Sequence, residues 1–182
     1  RQLETLAGIA ESQGRHLLVF GDYAIGPVTD EPCHPNITLR KTGFFQTRNV
    51  RGMAYPDLYA SKAFAMVDHE VAHVYIRDES AIPAICRAFE DTGEYEAVAL
   101  RTPNFDWGHP AAGEILLTAR KGSWCAYPWW TNNREAPDYA THIDIHSKPG
   151  YDPCELFFGS WLPPKTSLDA TRIRGTHGRR CD

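Results

Sequence analysis

The chain has 182 residues, 42% of them hydrophobic and 12% aromatic, which is enough to bury the core of one domain. Its 19 Lys and Arg against 23 Asp and Glu leave a net charge of −4 with the signs interspersed, which excludes the basic footprint of a protein that grips a phosphate backbone, so no nucleic acid scaffold is expected as a partner. No apolar stretch approaches the roughly 20 residues of a membrane span, and residues 1–14 are too polar for the apolar segment of a signal peptide.

Leu3, Leu6, Ala7 and Ala10 recur at helical spacing, and Gly14 stops that helix. His16-Leu17-Leu18-Val19-Phe20 is a short continuous apolar run, the pattern of a strand covered on both faces, and a helix followed by such a strand predicts a parallel unit. Asn36 is placed to cap a short helix through Arg40-Lys41 that closes at Gly43, and FFQTRNV begins a strand-like stretch. AFAMV and VAHVYI read as strands. Ser80 is placed to cap a helix that turns Ile82, Ile85 and Phe89 toward the core before Gly93 ends it. YEAVAL and EILLTA are further strands, separated by the turn-rich residues 102–110. After the Lys121-Gly122 turn, Trp124, Tyr127, Trp129 and Trp130 cluster in a loop-rich insert, where they are expected to pack locally. Pro163-Pro164 breaks regular structure again and leaves a polar tail that carries His177. No repeat, low-complexity tract or linker divides the chain, so 1–182 reads as a single domain.

Five widely spaced cysteines, Cys33, Cys86, Cys125, Cys154 and Cys181, form no C-x-x-C pair, which predicts reduced thiols with structural roles in a cytoplasmic setting. Asp22 follows the HLLVF run, where the ends of parallel strands open on a ligand crevice and a carboxylate can hold a hard cation; an Asp there also serves as a turn or cap residue. Asp68-His69 and His73 form a D-H-x-x-x-H pattern that suits a strand or a helix, with His69 a candidate for metal or substrate contact. In His142-x-Asp144-x-His146, strand alternation puts three polar side chains on one face, as metal ligands, as an active-site rim or as a solvated face. Lys148, in the turn that follows, is either a partner for a substrate phosphate or a surface residue. His177 lies in Gly175-Thr176-His177-Gly178, whose glycines let the backbone approach a site closely. The G-x-S-x-G elbow, the phosphate loop and the dinucleotide fingerprint are all absent, which removes the serine esterase, phosphate-loop NTPase and Rossmann readings.

VFGDYAIGPV with HPNITLRKTGFF, then AFAMVDHEVAHVYI, HIDIHSKPGYDPCELFF and LDATRIRGTHG, in that order, resemble the alkaline phosphatase superfamily in its type I phosphodiesterase and nucleotide pyrophosphatase branch. The similarity covers most of residues 15–178. It implies an α/β three-layer sandwich around a mainly parallel sheet with a loop- and strand-rich insert, incomplete here, with the chain as the C-terminal part of the hydrolase domain. It also implies two-metal hydrolysis of phosphate esters on a small phosphorylated substrate, with zinc as the ion and Asp22 and His177 as ligands to different metals. Tyr23 stands where the family has a metal-binding His and Ala24 where it has Gly. His69 is then a candidate to replace the lost ligand, and Tyr23, His146 and Lys148 are candidates to touch substrate. The nucleophile segment is expected upstream of Arg1, in a missing N-terminal half. The rival reading is a catalytically inactive binding or scaffold protein that retains the fold.

Overall fold

AFAMVD and VAHVYI are separated by two residues, far fewer than the dozen or so that a parallel crossover takes, so adjacent pairing of the two must be an antiparallel hairpin. The computed structural model, which describes residues 1–21, 23–102, 109–141, 158–161 and 164–179, pairs them so, with Ala65 opposite Val74. In chain order the elements are α1 (Gln2–Ser12), β1 (Gly26–Pro27), α2 (Pro35–Lys41), β2 (Thr47–Val50), β3 (Met53–Pro56), β4 (Ala63–Asp68), β5 (Val71–Ile76), α3 (Ile82–Glu90), β6 (Tyr95–Leu100), β7 (Ile115–Ala119), β8 (Phe158–Trp161), β9 (Pro164–Thr166) and β10 (Gly175–Thr176).

The main sheet has the order β4-β5-β7-β6, and every neighbouring pair in it is antiparallel. Strands β5 and β6 therefore run the same way, joined through α3, with β7 inserted between them. Three two-stranded antiparallel ladders, β1-β10, β2-β3 and β8-β9, complete the described strands. This overturns the expected three-layer α/β sandwich with a mainly parallel sheet. Among the described residues the single parallel pairing is an isolated bridge between Cys33 and Cys125.

Alternation along the strands decides which face is buried. Ala65, Ala72, Val74, Ile115 and Leu117 share one face, and Leu39 of α2 with Ile85 and Phe89 of α3 close over it. The predicted inward residues of α3 are therefore correct for Ile85 and Phe89, which are fully buried, whereas Ile82 is half-buried. Asp78, rather than Ser80, caps the 3-10 turn ahead of that helix, accepting from the Ser80 backbone N–H. Asn36 does not cap α2 either; it lies inside the helix, buried, with its amide paired to both the N–H and the carbonyl of Ala65 at 2.8 and 2.9 Å. That side chain supplies an edge strand with the hydrogen-bond partner it lacks on its open side.

The segment 16–20 is a second correction: it forms no strand, and Leu18 and Phe20 are 82% and 79% exposed. The apolar face of α1 is likewise uncovered, since none of its residues is buried. An apolar run states which environment would stabilise a segment, and among the described residues nothing provides it here. The tryptophans behave as expected of a packed insert: Trp124, Trp129 and Trp130 are buried without belonging to a helix or strand, and Trp129 Nε1 donates to the Ala54 carbonyl at 2.8 Å. No described helix is long and apolar enough to cross a membrane.

The insert is tied to α2 by charge. Arg40 donates to both Glu135 carboxylate oxygens at 3.2 and 3.0 Å and to the Trp129 carbonyl at 3.2 Å, while Glu135 also accepts from the Thr131 backbone and hydroxyl. The Arg40 hydrogen bonds, above all, hold the Glu135 carboxyl down at about 2, against an ordinary 4.5. A carboxylate whose folded-state pKa is depressed contributes stability that is complete above its unfolded value and lost as pH falls. Glu135→Gln should therefore unfold at lower urea than the parent chain at neutral pH, and that gap should narrow as pH drops from 4.5 toward about 2. A gap independent of pH would contradict this role for the ion pair.

Candidate functional site

Two residues, His69 and Glu70, turn β4 into β5. His69 has φ 54°, and Glu70 is not among the described residues with positive φ, the pattern of a hairpin turn whose first position favours glycine. A side chain there costs on the order of 1 kcal/mol. The strain is held by hydrogen bonds from several directions. The Cys125 N–H donates to the His69 carbonyl at 2.6 Å, and the Ala119 N–H donates to the Glu70 carbonyl at 2.8 Å. The Glu70 N–H in turn donates to the His177 carbonyl at 2.8 Å, which draws the C-terminal tail onto the turn.

The side chain of Glu70 reinforces the same contact. It is 7% exposed, accepts from the Arg179 N–H at 3.0 Å and lies 3.7 Å from Arg179 Nε. Arg179 also donates to the Ala119 carbonyl at 2.7 Å and pairs with Glu96. Gly178, between the two anchors, has φ 107°, and a Cβ there would sit 3.2 Å from the Asp68 carbonyl oxygen and 3.6 Å from the Glu70 nitrogen. The close backbone approach expected beside His177 is thus required at this glycine.

From the other side, the β1-β10 ladder places Gly26 opposite Thr176 and so carries the residues before it to the tail. Three side chains converge as a result. The His69 and His177 rings have centroids 3.8 Å apart at 42°, and Tyr23 stacks on His177 at 4.1 Å and 24°. The sequence-predicted residues Tyr23, His69 and His177 are therefore brought together. Asp22, His146 and Lys148 lie outside the described residues, as do His142 and Asp144. His73 is not part of the cluster: it sits mid-strand opposite Met66 and Leu116, with its Nδ1 buried and without a hydrogen-bond partner. Burial pulls its pKa below the ordinary histidine value, against a smaller opposing pull from Asp68.

Sequence reasoning missed Glu70, Arg179 and Cys125. Glu70 carried a signal, an acidic residue flanked by two apolar strand patterns, but its cation lies in the tail and only the fold joins them. On the far side of the turn, the Cys33 thiol donates to the Glu94 carbonyl at 3.6 Å and lies 3.4 Å from Ser123 Oγ; the neighbouring Cys125 thiol holds Cys33 below the usual thiol range, while Cys33 and then burial push Cys125 well above it.

Two adjacent imidazoles suit a borderline cation such as zinc, which takes nitrogen ligands. Catalytic zinc takes three protein ligands, and among the described residues no group of three or more His, Cys, Asp or Glu gathers for a metal. The two imidazoles alone fall short of that number. In comparisons with known proteins, no family model, no curated protein and no solved structure matches this chain.

Removing the cation from a buried carboxylate is costly because the remaining charge keeps its desolvation penalty. Arg179→Ala should cost about 3 kcal/mol in urea unfolding. A loss well below about 1 kcal/mol would mean that water screens the pair as at an exposed site.

Proposed function

We propose that this chain carries part of a metal-dependent phosphoester hydrolase site, phosphodiesterase or nucleotide pyrophosphatase-like, acting on a small phosphorylated substrate. The juxtaposition of the His69 and His177 rings carries this reading, because it sets two nitrogen donors from distant segments side by side. The antiparallel sheet lends it no support, so the argument rests on the site residues alone.

In this reading His69 and His177 would hold one ion, zinc by the chemistry of the two imidazoles, and Asp22 would be a ligand to the other. The ion supplies Lewis-acid polarisation of a phosphoryl oxygen. Tyr23 keeps the His177 ring oriented through its stack and presents a phenol at the edge of the site. His146 and Lys148 are assigned to the rim, where Lys148 offers a cation to phosphate. A reducing, cytoplasmic setting is assigned from the five widely spaced cysteines, which form no C-x-x-C pair.

A second reading, a non-catalytic binding protein, is favoured by one observation. A cavity of about 210 Å³ opens beside β4, walled by Phe45, Phe64, Met66, Tyr127, Trp129 and Tyr139. Such an aromatic lining suits an apolar ligand and contains no carboxylate, imidazole or basic side chain.

Calorimetric titration of the full chain with Zn²⁺ separates the two. The metal reading expects binding that weakens at least about tenfold in His177→Ala and in His69→Gly. His69→Gly should leave folding stability nearly unchanged, since relief of about 1 kcal/mol of backbone strain is offset by the similar entropic cost of glycine. A parent chain that ignores zinc, or variants that bind it as the parent does, would overturn the metal reading and leave the binding protein ahead.

A further inference from the structure

The isolated bridge between Cys33 and Cys125 sets two thiols side by side in the protein interior. The Cys33 N–H donates to the Trp124 carbonyl and the Ala126 N–H to the Cys33 carbonyl, both at 2.8 Å, so the two residues are directly opposed. Opposed residues of paired strands lie about 4.7–4.9 Å apart, inside the span of about 4.4–6.8 Å that a disulfide bridges between Cα atoms. Because the bridge is isolated, no regular ladder on either side resists the small rotation needed to close the bond. The site is also enclosed. Cys33 and Cys125 are 2% and 1% exposed, and Ser123 Oγ sits 3.4 Å from the Cys33 sulfur while donating to the Glu31 carbonyl at 2.6 Å.

We propose that Cys33 and Cys125 form an oxidation site that closes to an intramolecular disulfide with a small peroxide as oxidant. One thiol is oxidised by hydrogen peroxide to a sulfenic acid with release of water, and the second thiol displaces the hydroxyl as a second water. Two S–H bonds are lost, one S–S bond is formed, and the peroxide O–O bond is the group reduced. The enclosure selects the oxidant: a bulky disulfide such as oxidised glutathione has no route to either sulfur, whereas peroxide is the size of a solvent molecule. The partner thiol on the directly opposed residue captures the sulfenic acid before further oxidation.

Closing this bond links the segment before α2 to the residue whose N–H holds the His69 carbonyl. The cross-link closes a long loop, and loops of that size gain the most from a disulfide. Oxidation thus fixes one side of the strained turn.

The test treats the folded full chain with hydrogen peroxide and maps its peptides without reduction. The expected result is a peptide pair joined through Cys33 and Cys125, two hydrogens lighter than the separate thiols, with a rise in thermal midpoint that dithiothreitol reverses. Cys33→Ser and Cys125→Ser should each abolish both changes. Should either variant fail to fold, the map of the parent chain decides alone. Joining of either cysteine to Cys86, Cys154 or Cys181, a sulfinic acid at Cys33 or Cys125, or two unmodified thiols would each overturn the proposal.

Discussion

The hydrogen bonds around Glu70 are the constraint from which the rest of the site follows. A carboxylate at 7% exposure is tolerable only when paired, and its cation, Arg179, comes from the far end of the chain. The Glu70 N–H reaches the His177 carbonyl and its own carbonyl reaches Ala119, so a two-residue turn binds the tail on one side and β7 on the other. With that contact in place, the His177 ring lies against that of His69. Without it the tail would keep the packing of Ile173 on Trp124 and Ala126 and the two-residue β1-β10 ladder, both of which end before His177.

The strands of the sheet were legible in the sequence, but their arrangement was not. AFAMV, VAHVYI, YEAVAL and EILLTA fall on β4 to β7 and the spacing of Ile85 and Phe89 marks the inner face of α3, whereas the hairpin that the two-residue link after AFAMVD imposes went unread. The parallel architecture was misread from HLLVF, because a continuous apolar run reports a preference for burial and carries no information about which neighbours satisfy it. Asn36 was assigned to a cap from its residue type. Its real task, closing the open edge of β4 at Ala65, depends on a strand that comes later in the chain.

The site was legible by residue and illegible by arrangement. Tyr23, His69 and His177 stand out as residue types in glycine-rich or strand-end contexts, yet the stack they form depends on two pairings, β1 with β10 and Glu70 with the tail, between segments far apart in sequence. The opposed thiols show the same limit. Cys33 and Cys125 have no spacing signature, and only the path of the loop after β7 brings them together. The strained φ of His69 is then informative, since backbone strain persists where surrounding contacts over-determine it, and here Cys125, Ala119 and the tail all do so.

The central claim is that the tail places the imidazole of His177 against that of His69. Through-space proton coupling between the two rings, read by nuclear Overhauser spectroscopy on chain with labelled histidines, tests it directly. Ring centroids 3.8 Å apart predict strong cross-peaks between the His69 and His177 ring protons, together with cross-peaks from His177 to the Tyr23 ring. Absence of His69–His177 cross-peaks in a folded sample would contradict the account, since the turn and the tail would then not meet.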